Sequence, residues 1–398
     1  MSDKRIKIKV FPALNGDSML LDFNTKLFLI DGGYVNTFNH YLKDELKMRS
    51  EEGKRISHLI VTHIDKDHIS GIVRLLEKNT NNEIINIDNI WHNSYRHIKD
   101  LPGNFSLRDT NGKTDITALS EKSYVKEVND GRHEVSAKQG SALSALILDG
   151  SYKWNNEFAG EAVSTDNFDS IYIDNNTRIR ILSPNNQKLS KLKRLWFKEL
   201  YKKGYNITED DSNYDDAFEF LIAQEKEKKN IIKKDISSGP IDIDELSNVK
   251  NVEDTSITNG SSISFVIEKD QKKLLFLADS HPSLILESLK KQYSAKEFPI
   301  EFDIIKLSHH GSITNTSKEL LEVIDSKNYI FSSDGSKFGH PNIETIARIV
   351  NRKSEYTRKL HFNYPPKFVH EVNDANLKKR YLFEIYVAKE KSPIEIEL

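Results

Sequence analysis

Short apolar runs alternate with polar turns from the start of the chain. "RIKIKVFPAL", "SMLLDF" and "LFLIDGG" read as three strands, "FNHYLKDELKMRS" as a helix and "HLIVTH" as a further strand. A helix-like stretch, "HISGIVRLLEKN", follows, and then a strand in "EIINIDNIWHNS". The pattern weakens from about Ser94, with a small helix in "KQGSALSALILDG", and strand signals return at "IYIDNNTRIRILSP". "LSKLKRLWFKELYKKG" then repeats apolar residues at helical spacing and stops at a Gly. Between about Glu209 and Asp254 the chain is dense in charge and broken at Gly239-Pro240, which predicts an exposed helix and linker. Regularity resumes with "SISFVIEKDQKKLLFLADS", a hairpin around a charged turn. Strands and helices alternate through "SLILESLKKQY", "FDIIKLSHHGS", "KELLEVID", "NYIFSSDG" and "IETIARIV", and "YLFEIYVAKEKSPIEIEL" supplies closing strands. Two strand-rich halves flanked by helices predict an α/β sandwich of sheets with helices outside.

Polar clusters recur where these strands end. "FLIDGG" leaves a strand at Asp31, "LIVTHIDKDH" at His63, "LLFLADS" at Asp279, "IIKLSHHGS" at His309 and His310, and the loop after "YIF" carries His340. Function gathers on such loops. In "VTHIDKDHISG" two histidines and two aspartates fall within six residues. One reading is a solvated turn whose aspartates cap the next helix. Four specified residue types at fixed spacing, however, match by chance only on the order of once in 10⁵ start positions. Imidazole nitrogen and carboxylate oxygen both bind Zn²⁺ or Mn²⁺, and a short turn offers them from several directions.

Composition narrows the setting. The 398 residues are 37% hydrophobic, enough for one large domain or two smaller ones. Lys+Arg 58 against Asp+Glu 60 leaves a net charge of −2, so a groove that tracks phosphates has to be local. Cys 0 excludes disulfides, thiolate ligands and cysteine nucleophiles, and fits a reducing cytoplasm. Met1 is followed by charged residues and no apolar run suits a signal segment or membrane span, so a cytoplasmic protein without a membrane partner is the expectation.

"THIDKDHISG" resembles the H-x-D-x-D-H signature of the metallo-β-lactamase superfamily. "GDSMLL", "LFLIDGG", "LLFLADS", "KLSHHGS" and "FGHPN" follow in the same order as in the hydrolase domain of the competence protein ComEC and its soluble relatives. The resemblance covers roughly residues 5 to 95 and 255 to 355. It implies a four-layered αββα sandwich made of residues 1–95 and 255–398, with 96–254 as an insertion and exposed charged linker that offers a surface for an oligomer or protein partner.

Carried over residue by residue, it implies two divalent metal ions, Zn²⁺ or Mn²⁺. His63 and Asp65 would serve one, Asp67 and His68 the other, with Asp279 as bridge and His309 completing the second site. His310 would then be a neighbour facing substrate, and Asp31 a carboxylate orienting a ligating imidazole. Asn259 stands where the superfamily usually has a third histidine, and Asp65 also replaces a histidine, so the site is harder and suits Mn²⁺ or Mg²⁺ better than a His-rich one. His92 is a candidate substitute ligand and His133 a weaker one. Asp67 and His340 are the candidate catalytic residues, the first to orient or deprotonate a metal-bound hydroxide and the second to donate to a phosphoryl oxygen. Ser312 to Ser317 precede the helix "KELLEVID" and offer either an anion pocket or a cap. The activity implied is a metal-dependent phosphodiesterase or nuclease on nucleotides or nucleic acid. The alternatives are a hydrolase of a small ester, lactone or amide, and a catalytically weak metal-binding regulatory component.

Overall fold

A computed structural model describes residues 5–24, 26–102, 143–202 and 241–398. The first sheet contains β1 (Lys7–Val10), β2 (Met19–Asp22), β3 (Lys26–Ile30), β4 (Arg55–Ile60), β5 (Ile87–Trp91), β6 (Lys153–Trp154) and β17 (Ile394–Glu397), in the order β17-β1-β2-β3-β4-β5-β6. The second contains β7 (Ser170–Asp174), β8 (Thr177–Ser183), β9 (Ser264–Lys269), β10 (Lys272–Phe276), β12 (Ile304–Lys306), β14 (Asn328–Phe331), β15 (Arg358–Phe362) and β16 (Phe383–Val387), in the order β16-β15-β14-β12-β10-β9-β8-β7. A small parallel pair, β11 (Ile300–Phe302) and β13 (Ile324–Ser326), stands apart.

Strand periodicity decides what each face buries. Along β3, Phe28 and Ile30 turn inward and pack with Phe265, Ile267, Phe276, Ile304 and Ile330 of the other sheet, while Leu27 and Leu29 turn outward. The outward face of the first sheet is covered by α1 (Lys66–Lys78), through Ile69, Ile72, Leu75 and Leu76, and by Leu189, Leu192 and Trp196 of α2 (Asn186–Lys202). The outward face of the second sheet, with Val266, Leu275, Ile305 and Leu360, is covered by Ile285 and Leu289 of α3 (Pro282–Gln292) and Ile346, Ile349 and Val350 of α4 (Ile343–Val350). Helix, sheet, sheet and helix therefore stack as the expected αββα sandwich, a metallo-β-lactamase-type fold. Among the described residues no helix is long and apolar enough to cross a membrane.

The range 96–254 differs from a simple insertion. β6 adds to the edge of the first sheet, β7 and β8 extend the second, and α2 packs on the first sheet. Within the charged stretch, Ile243 is buried in the second outer core, because an isolated apolar residue in a polar run still finds a face to cover. "EIINIDNIWHNS" yields a strand only over Ile87–Trp91. In "KELLEVID" a helix of four residues, Lys318–Leu321, gives way to β13.

Candidate metal centre

The loops leaving β3, β4, β10 and β12 meet at one edge of the two sheets. Asp65 occupies the N-cap position of α1, yet its side chain makes no capping hydrogen bond. Its Oδ2 lies 3.0 Å from His63 Nε2 instead. Asp67 Oδ2 accepts 2.6 Å from Asn15 Nδ2, and Asn15 Oδ1 in turn accepts from the Tyr34 hydroxyl at 3.0 Å. His63, Asp65, Asp67 and His68 are all buried. The solvated-turn reading of this stretch therefore fails, since capping carboxylates would face water and the helix amides.

Asp279 stands at the centre. His63 Nε2 and His309 Nε2 lie 3.7 and 3.8 Å from its Oδ2, and His68 Nε2 and His310 Nε2 each lie 3.9 Å from its Oδ1. The carboxyl is fully enclosed. Burial alone would raise its pKa, but the surrounding histidines, His309 and His310 foremost, hold it well below the usual carboxylate range.

Behind each imidazole a polar group stands near Nδ1, hydrogen-bonded at His63, His68 and His309 and only close by at His310. Asp31 Oδ2 is 2.8 Å from His68 Nδ1, and the same carboxylate accepts from the Thr62 amide at 2.8 Å and hydroxyl at 2.7 Å. Thr62 Oγ1 is 3.0 Å from His63 Nδ1. Asn315 Oδ1 lies 3.0 Å from His309 Nδ1, with the Asp254 carboxylate behind it at 3.6 Å, and Asp17 Oδ1 lies 3.4 Å from His310 Nδ1. Asp17 is itself paired through Oδ2 with Lys306, and both side chains are buried. Burial opposes the Asp17 charge, but Lys306 and His310 outweigh it and lower its pKa. Burial likewise opposes charge on His68, yet Asp31, Asp279 and Asp67 raise its imidazole to about 10.

The backbone is shaped to bring these groups together. Asp31, Ala278, His309 and His310 have positive φ values of 54°, 46°, 46° and 59°, and Gly311 follows at 88°. Left-handed geometry at non-glycine residues costs on the order of 1–3 kcal/mol each and collects at functional sites. Two consecutive left-handed histidines explain how neighbours in sequence both reach Asp279. At Gly16 an added Cβ would meet the Asp67 carbonyl oxygen at 1.9 Å, so only glycine lets the "NGDS" loop seat Asn15 and Asp17 against the start of α1.

His310, not His309, groups with Asp67 and His68, while His309 faces the Asp279 oxygen shared with His63. The expectation that only one of the adjacent histidines completes the centre overlooked the left-handed turn. Asn259 is buried, but its Nδ2 donates to Asp254 at 2.5 Å and lies 3.4 Å from His309 Nδ1, so the amide braces that pair. Ser312 Oγ accepts from the Thr314 amide and contacts Thr314 Oγ1 at 2.8 Å, and Ser317 caps Lys318–Leu321, which makes these hydroxyls local caps. The His340 ring centroid is 4.9 Å from that of His309. Burial first, then His309 and His310, push the His340 imidazole well below its ordinary pKa, so it is neutral. His92 is a packing residue, its ring stacked on Trp154, and is absent from the ligand groups found among the described residues. His133 lies outside the described residues. Asp17 and Asp254 were not foreseen. The first sits in the "GDS" turn, and the second lay inside the stretch read as linker.

The donor set fits divalent ions. His68 Nε2 and Asp279 Oδ1 are buried without a hydrogen-bond partner, and His63, His68 and Asp279, or Asp67, His68 and His310, bring ligand atoms within 4.8 Å of one another.

The family model described as "Metallo-beta-lactamase superfamily" matches residues 12–124. A comparison with curated proteins returns no match. Among solved structures, the metallo-beta-lactamase fold protein YhfI from Bacillus subtilis is similar at 13% identity and TM-score 0.36, covering 100% of both chains. A mutant of the CmlA beta-hydroxylase is similar at 10% identity and TM-score 0.34, covering 100% of this chain and 55% of that one. The long form RNase Z from yeast is similar at 10% identity and TM-score 0.36, covering 96% and 47%. The match over 12–124 supports a place in the metallo-β-lactamase superfamily and includes Asp31, His63, Asp65, Asp67 and His68, while Asp279, His309 and His310 lie beyond it.

Proposed function

We propose that this chain is a divalent-metal-dependent phosphodiesterase of the soluble ComEC-like branch, acting on nucleotides or nucleic acid. One observation carries the metal-centre part of this reading: each oxygen of the Asp279 carboxylate faces two imidazole nitrogens. His63, Asp65, His309 and Asp279 Oδ2 would hold one ion, and Asp67, His68, His310 and Asp279 Oδ1 the other. Two ions on a shared carboxylate supply, when bound, charge that stabilises the attacking and leaving oxygens of an in-line displacement at phosphorus. The mixed oxygen and nitrogen set suits Mn²⁺ as well as Zn²⁺.

The chain's own groups then have separable tasks. Asn15 fixes Asp67 through Oδ2, and the other oxygen, Oδ1, would serve the ion and orient an incoming water. Neutral His340, beside His309, offers an N–H to a phosphoryl oxygen and serves as a hydrogen-bond donor. Asp31, Asp17 and Asp254 keep the imidazoles aimed. The order of sequence motifs and the carboxylates of Asp65, Asp67 and Asp279 beside the imidazoles favour phosphodiesters over esters and lactones.

The test is a panel with Mn²⁺ containing bis-p-nitrophenyl phosphate, single- and double-stranded DNA, RNA, cyclic and linear dinucleotides, a lactone and a β-lactam. Phosphodiester turnover is expected to vanish with chelator and to fall by several orders of magnitude in Asp67→Ala or Asp279→Ala. His340→Ala is expected to cost about 10²-fold, the low end for one hydrogen-bond donor or acid. Turnover of only the lactone or β-lactam would overturn the assignment. Silence across the panel in folded, metal-loaded protein would favour a regulatory component.

A further inference from the structure

A second concavity adjoins the metal centre on the Asp254 side. It has a volume of about 280 Å³ and is lined by Lys188 and Lys191 of α2, His281 at the start of α3, and Glu253, Asp254 and Ile257. Asp254 is the wall shared with the centre, since its Oδ2 also faces His309. His281 lies two residues beyond Asp279.

The polar groups of this pocket are unevenly satisfied. Glu253 Oε1 accepts from Ser283 at 2.6 Å. Asp254 accepts from the Ser256 amide at 2.8 Å, from Asn259 at 2.5 Å and from Asn315 at 3.2 Å, so both oxygens of Asp254 and one of Glu253 are engaged by the surrounding chain. The donors are not. Lys188 Nζ lies 2.7 Å from His281 Nδ1, which makes that nitrogen the acceptor and puts the imidazole proton on Nε2. His281 is 5% exposed, and its Nε2 is buried without a hydrogen-bond partner. Neither Lys188 nor Lys191 forms an ion pair among the described residues. Burial first and the neighbouring Lys191 second depress the Lys188 pKa, outweighing the opposing pull of Glu253 and Asp254. The Lys188 and Lys191 ammonium groups and the enclosed His281 Nε2 are donors that an oxyanion can satisfy.

We propose that this pocket is a phosphate subsite, which takes a phosphate of the substrate other than the one cleaved. The inference rests on the phosphodiesterase reading for its substrate but not for its ligand chemistry. Lys188 and Lys191 supply the charge, and the pocket lies one residue away from the metal centre. It selects substrates with at least two phosphates, such as a dinucleotide with a terminal phosphate or a longer strand, over a diester with one. Phosphate groups of nucleic acid, of a mononucleotide and of the free ion share this chemistry.

Two measurements separate the outcomes. In equilibrium dialysis of labelled inorganic phosphate, with and without Mn²⁺, wild-type protein is expected to show saturable binding that survives removal of the metal. Lys188→Met with Lys191→Met is expected to weaken this component roughly tenfold or more, the worth of one charge-assisted hydrogen bond. Lys188→Arg should retain it. In kinetics with Mn²⁺, the ratio of kcat/KM for a terminally phosphorylated dinucleotide to that for bis-p-nitrophenyl phosphate should fall about tenfold in the double variant, mainly through KM. Should that variant not fold, Lys191→Met, at an exposed position, carries the same test with a smaller effect. Metal-independent phosphate binding that is absent, or unchanged by the lysine substitutions, overturns the subsite, as does equal loss on both substrates. Absence of turnover in wild-type protein overturns the phosphodiesterase reading alone, because dialysis still decides the pocket.

Discussion

At the scale of single residues, the candidate centre is a set of imidazoles aimed by what stands behind them. Asp31 serves His68 and Asp254 serves His309, so the two carboxylates support different oxygens of Asp279 and, on the proposed assignment, different ions. Replacing either by Asn keeps the shape and removes the charge. Substituting a group that orients a ligating imidazole typically costs about 10–100-fold in metal affinity. Asp31→Asn is therefore expected to weaken the ion held by Asp67, His68 and His310, and Asp254→Asn the ion held by His63, Asp65 and His309. Calorimetric titration of chelator-stripped protein with Mn²⁺ should show two steps, each variant shifting a different one. If both variants weaken the same step, the division of ligands between His309 and His310 is wrong. The candidate ligands stood out in sequence because each leaves an apolar strand as a conspicuous polar residue. The pairing was not, since it depends on φ at His309 and His310, and no spacing rule encodes that. Asp17 was missed because its partner Lys306 is a buried lysine within an apolar strand, far along the chain.

Elements away from the site are held by a different device. Where β13 and β15 approach, Asp325 accepts from Arg358 at 3.0 and 2.6 Å and from Arg352 at 3.0 Å, and Arg358 is fully buried. Burial opposes the Asp325 charge, but the two guanidinium groups outweigh it and lower its pKa. A carboxylate with a depressed folded pKa contributes stability above its unfolded value, about 3.9, and loses that contribution as pH falls through the lower folded value. Asp325→Asn should cost about 3–5 kcal/mol at pH 7, because Arg358 is left charged and enclosed without its partner. Below about pH 4 the gap between wild type and variant should narrow. Urea unfolding at pH 7 and pH 3 measures both quantities, and a gap that stays constant with pH would remove Asp325 ionisation from the account. The strands themselves were readable from period-two patterning, as at β3, where Phe28 and Leu29 face opposite cores. Strands in the middle of the chain were seen individually at "IYIDNNTRIRILSP", but their membership in the second sheet was not, because edge pairing with β9 leaves no mark in local sequence.

Across the whole molecule, the candidate ligands come from both sheets. Asp65, Asp67 and His68 follow β4 of the first sheet, whereas Asp279, His309 and His310 follow β10 and β12 of the second. Ions bound there would tie the halves of the sandwich together at the edge where the enclosed carboxylates of Asp17, Asp31 and Asp279 gather beside the histidines. A ligand that binds the folded chain and not the unfolded one stabilises it by RT ln(1 + [L]/Kd), about 2.7 kcal/mol at a hundredfold excess over Kd. Thermal unfolding of chelator-stripped protein is therefore expected to shift upward by a few degrees on adding Mn²⁺, with the shift growing logarithmically with concentration. Asp279→Asn should abolish most of that shift, because it removes charge from the one carboxylate that, among the described residues, faces all four imidazoles. His340→Ala should leave the shift intact, since His340 is assigned to substrate and holds no ion. A metal-dependent shift that persists in Asp279→Asn would place the binding elsewhere. If the shift is lost in His340→Ala, that imidazole belongs among the ligands and its role as hydrogen-bond donor to substrate would have to be given up.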